Sequence, residues 1–157
     1  MSGDQYTFDT RHDRYPVAAH AILTDPAGRV LLARRAGSGY ADGQLAFPAG
    51  HVDLGETPID CLVREIREEL GIELDPASIT PAGTMFRLSQ EPRVDLFFTI
   101  RAWDGMPRIC EPHKCAELVW VTPDELPGDA LDFVGRALAN RSAGRPYDEF
   151  GWATTSV

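Results

Sequence analysis

The sequence predicts an α/β fold with helices layered around a mixed sheet. Three observations carry that expectation. Short apolar runs of strand character alternate with helical patterns. The stretch from about Pro58 to Leu70 carries a full set of helix start and stop signals. The chain has 157 residues, 43% of them hydrophobic and 25% charged, which suits one domain with a complete core. The expected unit is a single domain over 1–157, with a loose segment at 1–15 and a polar tail at 142–157.

The elements follow in order. Val17 to Leu23 and Val30 to Ala33 read as strands joined by a turn at Asp25-Pro26-Ala27-Gly28. Residues 36–46 are glycine-rich and read as a loop, followed by a short strand near Phe47. The helix from Pro58 comes next, then a turn at Asp75 to Ala77. Thr84 to Leu88 and Val94 to Ala102 read as strands, the second of them central, and Leu118 to Val121 as another. Pro123, Asp124 and Glu125 suggest a helical turn. Leu131 to Leu138 reads as the last helix, with Leu131, Val134, Ala137 and Leu138 on one face. Tyr147, Phe150 and Trp152 in the tail are suited to docking, either on the domain or on a second subunit as a homodimer.

The first helix is unusual for its charges. Thr57 and Asp60 make a capping box, Pro58 takes the first helical position, and Gly71 suits the residue just past the C-terminus. Ile59, Leu62, Val63, Ile66 and Leu70 gather on one face, and Glu65, Glu68 and Glu69 on another. Like charges one turn apart cost roughly a few tenths of a kcal/mol per pair. They also sit at the end where the helix dipole disfavours anions. Divalent cations remove that penalty, and hard oxygen ligands suit Mg²⁺ or Mn²⁺. A solvated acidic face bridged by Arg64 and Arg67 is the plain alternative. It leaves Gly50, Glu56, Gly71, Ile66 and Ile72 unexplained.

Residues 50–72, GHVDLGETPIDCLVREIREELGI, resemble the signature of the Nudix hydrolases, G-x5-E-x7-R-E-U-x-E-E-x-G-U with U aliphatic. Every fixed position matches, from Gly50 and Glu56 through Arg64, Glu65, Ile66, Glu68, Glu69, Gly71 and Ile72. Residues 39–56 are similar to the family's entry into this box, with Ala49 where a second glycine is common and Leu45 where tryptophan is frequent. The resemblance implies an α/β/α sandwich. It implies a Mg²⁺ site, with Mn²⁺ as substitute, held by Glu65, Glu68, Glu69 and the Gly50 carbonyl. Arg64 would orient the carboxylates and Glu56 would hold the loop against the helix. The implied reaction is attack of water on a diphosphate linkage. The general base is then one of the box glutamates or Glu111. That last residue follows Trp103-Asp104-Gly105-Met106-Pro107, a stretch similar to MutT-like nucleoside triphosphatases.

Composition narrows the class. A net charge of −9 and a pI near 4.8 argue against coating nucleic acid or binding an anionic membrane. An acidic protein handling a phosphate ester needs cations to bridge the repulsion. Fourteen of the 15 basic residues are arginine, the better bidentate phosphate partner. The opening MSGDQYTFDTRHDR has no apolar stretch like a signal peptide, and Cys61, Cys110 and Cys115 read as reduced thiols, so a cytoplasmic location is expected. Cys110, His113 and Cys115 fit no standard zinc spacing.

Arg34 and Arg35 end a strand just before the glycine-rich loop. Alternation sends one of them elsewhere, and Arg35 is the candidate for substrate phosphates. Phe47 is the candidate for stacking on a base, with Tyr40 and Phe86 as alternatives, although aromatics beside strands are core more often than not. For His51 a structural hydrogen bond is expected. Family markers of other substrates are missing: Arg87 stands where ADP-ribose hydrolases often have proline, and Leu88, Ser89 and Gln90 where dinucleoside polyphosphate hydrolases have tyrosine. The expected substrate is a small nucleotide, foremost a (d)NTP cleaved to NMP and pyrophosphate. A nucleotide-sugar or ADP-ribose pyrophosphatase is the runner-up, and a non-catalytic nucleotide sensor a reading of another class.

Overall fold

A computed structural model describes residues 6–153. Its strands are β1 (Val17–Leu23), β2 (Val30–Arg35), β3 (Leu45–Ala46), β4 (Ala49–His51), β5 (Ile79–Leu88), β6 (Pro92–Ile100), β7 (Cys115–Val121) and β8 (Tyr147–Phe150), and its α-helices are α1 (Pro58–Leu70) and α2 (Asp132–Ala143). Five strands form one sheet in the order β4-β1-β6-β5-β8. It is mixed: β1 runs parallel to β6 and β5 parallel to β8, while the β1–β4 and β5–β6 pairs are antiparallel. A second, antiparallel sheet has the order β3-β2-β7.

Strand alternation divides the core in two. Ala19, Ala21 and Leu23 of β1 join Phe98 and Ile100 of β6 on the face covered by Cys61, Leu62, Ile66 and Leu70 of α1. Ile22, Met85 and Phe97 point the other way and meet Phe133, Val134, Ala137 and Leu138 of α2. The result is the expected helix–sheet–helix sandwich. The three-stranded sheet closes one side and feeds both cores, Leu31 into the first and Val30 and Leu32 into the second.

Most expected elements are present, with shifted ends. The last helix begins at Asp132 and runs on to Ala143, because nothing breaks it before Gly144. Pro123 to Glu125 make only a turn, closed by the Glu125 amide on the Thr122 carbonyl. Strand β5 starts at Ile79, earlier than expected, and passes a bulge between Pro81 and Gly83. The single strand expected near Phe47 is two short ones flanking Phe47 and Pro48. Residues 6–15 hold no helix or strand, as expected of a loose start, and the rest of that segment lies outside the described residues.

The tail docks on the domain, one of its two expected places, and adds a strand that was not expected. Residues 147–150 pair with Thr84 to Arg87 as the edge strand β8. Trp152 then stacks on Phe86 with ring centres 5.4 Å apart, and its indole N–H donates to the Phe86 carbonyl at 3.1 Å. Tyr15 meets the same Phe86 ring edge-on. Phe86 is thereby occupied by the chain itself, and the expectation that it could stack on a base does not hold. The tail's last residues, from 154, lie outside the described residues.

Leu62 is fully buried where α1 meets the sheet. Leu62→Ala should lower unfolding stability by about 2–5 kcal/mol, read from urea denaturation as a lower midpoint at unchanged slope.

Candidate active site

Helix α1 builds the acidic end of the site. The Thr57 hydroxyl accepts from the Asp60 amide and the Asp60 carboxylate accepts from the Thr57 amide, both at 3.1 Å. At the other end Gly71 adopts φ 69°, a left-handed cap suited to glycine. Between these stops the arginine and the acids fall into one cluster. Arg64 donates from Nε and Nη2 to the two Glu56 oxygens at 3.0 and 2.7 Å. Its Nη1 donates to Glu65 at 2.8 Å and to Glu68 at 3.4 Å. Glu56 also accepts from the Asp53 amide at 2.9 Å, so it ties the β4–α1 loop to the helix as expected.

Gly50 is required for space. A Cβ there would lie 2.2 Å from Glu65 Cγ and 2.6 Å from its Oε1. The strand–helix packing therefore brings the Gly50 backbone directly onto Glu65. The buried Cys61 thiol donates toward the carbonyls of His51 at 3.4 Å and Gly50 at 3.6 Å. Burial, with the nearby charges of Glu56 and Glu65, pushes that thiol up to about 12, so it stays protonated.

The electrostatics separate the acids. The hydrogen bonds from Arg64 hold Glu56 at about 2. Burial, reinforced by the charge of Glu65 and a hydrogen bond with it, pushes Glu69 up to about 8, and Glu111 adds to the effect. Such a pair shares either a proton or a cation. Among the described residues no three His, Cys, Asp or Glu side chains already converge as a metal cage. Glu65 is turned toward Arg64, and the Glu68 side chain is half exposed. Cys110, His113 and Cys115 form no cage either. The donors on α1 are nonetheless all hard oxygens on consecutive turns beside a carbonyl-bearing strand, and that set fits Mg²⁺ or Mn²⁺.

The loop after β6 brings Glu111 to the helix. The amides of Arg108 and Cys110 donate to the carbonyls of Leu70 and Glu69, both at 3.0 Å, and the Arg108 guanidinium donates to Gly71 O at 3.3 Å. Glu111 then lines a cavity of about 300 Å³ together with Glu69, Arg35, Phe47 and Lys114. The Lys114 ammonium lies 3.5 Å from its carboxylate. Arg34 and Arg35 part as alternation requires. Arg34 is spent on Asp129 at 2.6 Å and Glu117 at 3.2 Å. Arg35 pairs with no acid among the described residues and donates only to the Tyr40 carbonyl and the Ser38 hydroxyl.

A second cavity of about 310 Å³ adjoins the first across Arg35, Ala46, Phe47 and Ala49. Gly50 and His51 stand at its edge, and His20, Arg87 and Arg93 line it. Phe47 is almost fully buried, in edge contact with His20, Phe97 and Phe133, so it is core that also forms the wall between the cavities. His51 has the structural role expected, its Nε2 lying 3.3 Å from Arg93. The basic group around Arg87 escapes motif reading. Its signal is a polar residue inside an apolar strand, His20 in VAAHAIL and Asp95 in VDLFFTI.

The model of the NUDIX domain matches residues 14–140. The chain belongs to the Nudix family. It is similar to the 8-oxo-dGTP diphosphatase of Escherichia coli, 28% identical over 69% of this chain and 85% of that one. It is also similar to the CTP pyrophosphohydrolase of the same organism, 30% identical over 67% of this chain and 75% of the relative. RNA pyrophosphohydrolases match over less, 44% identical across 42% of the chain but only 33% of the Halorhodospira halophila protein. Among solved structures, the MutT Nudix hydrolase of Burkholderia pseudomallei superposes with a TM-score of 0.73 at 29% identity, covering 81% of this chain and 98% of that one. The chain is thus a MutT-like Nudix hydrolase. Among the described residues no helix is long and apolar enough to cross a membrane.

The Glu56–Arg64 pair has a defined pH window. A free glutamate titrates near 4.5 and Glu56 in the fold near 2, so the pair contributes fully above about pH 4.5 and its contribution drains as pH falls to about 2. The Tm difference between wild type and Glu56→Gln should be largest above pH 5 and vanish near pH 2.

Proposed function

We propose that this Nudix hydrolase is a Mg²⁺-dependent nucleoside triphosphate pyrophosphohydrolase, converting a (d)NTP and water into NMP and pyrophosphate. The observation that carries the reading is the pair of adjoining cavities. One places Glu69 and Glu111 beside the unpaired Arg35, and the other is walled by Phe47 and edged by Gly50. A triphosphate lying across Arg35 puts its nucleoside on the Phe47 side and its phosphates on the α1 side. Two relatives that match over most of their length, named for 8-oxo-dGTP and CTP, support the same substrate class.

Glu65, Glu68, Glu69 and the Gly50 carbonyl would hold Mg²⁺. Bound there, the ion supplies charge neutralisation at the phosphates and acidifies water. Arg64 keeps Glu65 and Glu68 in place through its hydrogen bonds. Arg35 offers its guanidinium to a phosphate oxygen. Glu111 takes the proton of the attacking water. It is half-buried in the cavity that holds Glu69, with the Lys114 ammonium 3.5 Å from its carboxylate.

A panel of NTPs, nucleotide sugars and ADP-ribose, scored by product, tests the reading. NMP with pyrophosphate from NTPs is the expected result. NMP and a sugar phosphate from the others, with NTPs untouched, would replace it by the sugar-nucleotide reading. No hydrolysis with either Mg²⁺ or Mn²⁺ would leave a nucleotide sensor.

Two substitutions probe the roles. Glu68→Gln with Glu69→Gln should abolish Mg²⁺ uptake in calorimetry and turnover together. Glu111→Gln should lower kcat by on the order of 10²–10⁴ with KM little changed. A wild-type kcat in that variant discards Glu111 as the base.

A further inference from the structure

We propose that the far end of the main sheet carries a second anion site, for a diphosphate group, built on the guanidinium of Arg141 with Arg101 beside it. It lies outside the candidate active site. Arg141 and Thr99 line both of two open cavities, of about 530 and 750 Å³, and these share no lining residue with the two cavities beside α1. The site sits where β1 and β6 end, at Leu23 and Ile100, whereas Gly50 and Asp95 pair near the start of β1.

Arg141 carries the inference. It stands in the last turn of α2 and is half-buried. Its Nη1 donates to Thr24 Oγ1 at 3.0 Å and to Thr99 Oγ1 at 3.4 Å, and both threonines are buried. No acid pairs with it among the described residues, and its Nε and Nη2 have no protein partner there. Burial, reinforced by the charge of Arg101, lowers its pKa. A cation drawn out of water needs a counter-charge or it costs stability. The threonine hydroxyls supply dipoles but no charge, and the charge that acts on Arg141 is a second cation.

Arg101 directly follows β6, is exposed and lines the larger cavity with Arg141. Arg145 lines the smaller one. Neither pairs with an acid among the described residues. One carboxylate faces them, that of the exposed Asp124 in the larger cavity. The C-terminal end of a helix opposes an anion, but here the amides of Gly144 and Arg145 already bind the carbonyls of Arg141 and Asn140. In a chain of net charge −9, this end of the sheet is locally inverted in sign.

Two guanidiniums on one open cavity suit an anion whose charge is spread over two groups of oxygens, and the arginine fork matches phosphate oxygens. A lone carboxylate would satisfy one fork and leave the other. No aromatic ring lines the larger cavity, so nothing there stacks on a base. The ligand is therefore recognised by its diphosphate, whether free pyrophosphate or the diphosphate of a nucleotide.

The test is calorimetry of pyrophosphate and of ADP on the full chain, in EDTA and at fixed ionic strength. Wild type should bind pyrophosphate. ADP bound as tightly assigns the site to nucleotide diphosphates, and weaker ADP binding assigns it to the free anion. Arg141→Met and Arg101→Gln should each weaken pyrophosphate roughly tenfold, while Arg35→Gln leaves its affinity unchanged. Urea denaturation gives a second readout: pyrophosphate should raise the midpoint of wild type and not that of Arg141→Met. A lower midpoint in Arg141→Met that still rises with pyrophosphate would make Arg141 a helix cap and overturn the proposal. So would no binding to wild type, wild-type affinity in Arg101→Gln, or loss of binding in Arg35→Gln. Should Arg141→Met fail to fold, Arg101→Gln decides, because Arg101 is exposed. None of these outcomes bears on the pyrophosphohydrolase reading, which is scored by products with Mg²⁺ present.

Discussion

One guanidinium holds the acidic end of this molecule together. Arg64 is shared by Glu56, Glu65 and Glu68, and Asp53 lies 3.3 Å from the same guanidinium. The partition is unequal. Glu56 receives the bidentate pair and becomes a fixed strut between loop and helix. Glu65 and Glu68 receive single bonds and keep oxygen lone pairs to spare. One positive charge against four negatives leaves the cluster short of cations, and Glu69 deepens the deficit from a buried position beside Glu65.

The other end of the groove inverts this arrangement. There one carboxylate, Asp95, is shared by two arginines and a neutral histidine, and the surplus is positive. Both centres hang from the same sheet. Gly50 of β4 pairs with Ala19 of β1, and Asp95 of β6 pairs with Ala18 on the other side of β1. The parallel register of β1 and β6 therefore fixes the position of the acidic cluster relative to the Asp95 cluster.

The acidic end was legible in the sequence and the basic end was not. A helix advertises itself by local rules, so the cap at Thr57, the stop at Gly71 and the glutamate strip between them are all written within 15 residues. Alternation sets Arg34 and Arg35 apart and Arg35 is the sequence candidate, but only the pairing with β7 and the loop at Asp129 shows where Arg34 is spent. The Asp95 centre draws on β1, β5 and β6, and no spacing within a single segment encodes it. Strand β8 was hidden for the same reason. Its sequence YDEF has little strand character, and it exists because β5 offers an unpaired edge and Trp152 locks the end over Phe86.

The placement of like charges at the C-terminal turn of α1 still needs a physical account, because the helix dipole opposes them there. The loop from Trp103 to Cys115 supplies it. Its amides at Arg108 and Cys110 bind the carbonyls of Leu70 and Glu69, and the Arg108 side chain binds Gly71 O, so the helix end carries less exposed negative dipole than a free terminus. The same loop carries Glu111 and Lys114 into the cavity beside Glu69. Relief of the strained helix end and delivery of the candidate base are thus one structural act. A chain that loosened this loop would lose both the tolerance for its glutamates and the group positioned to use them.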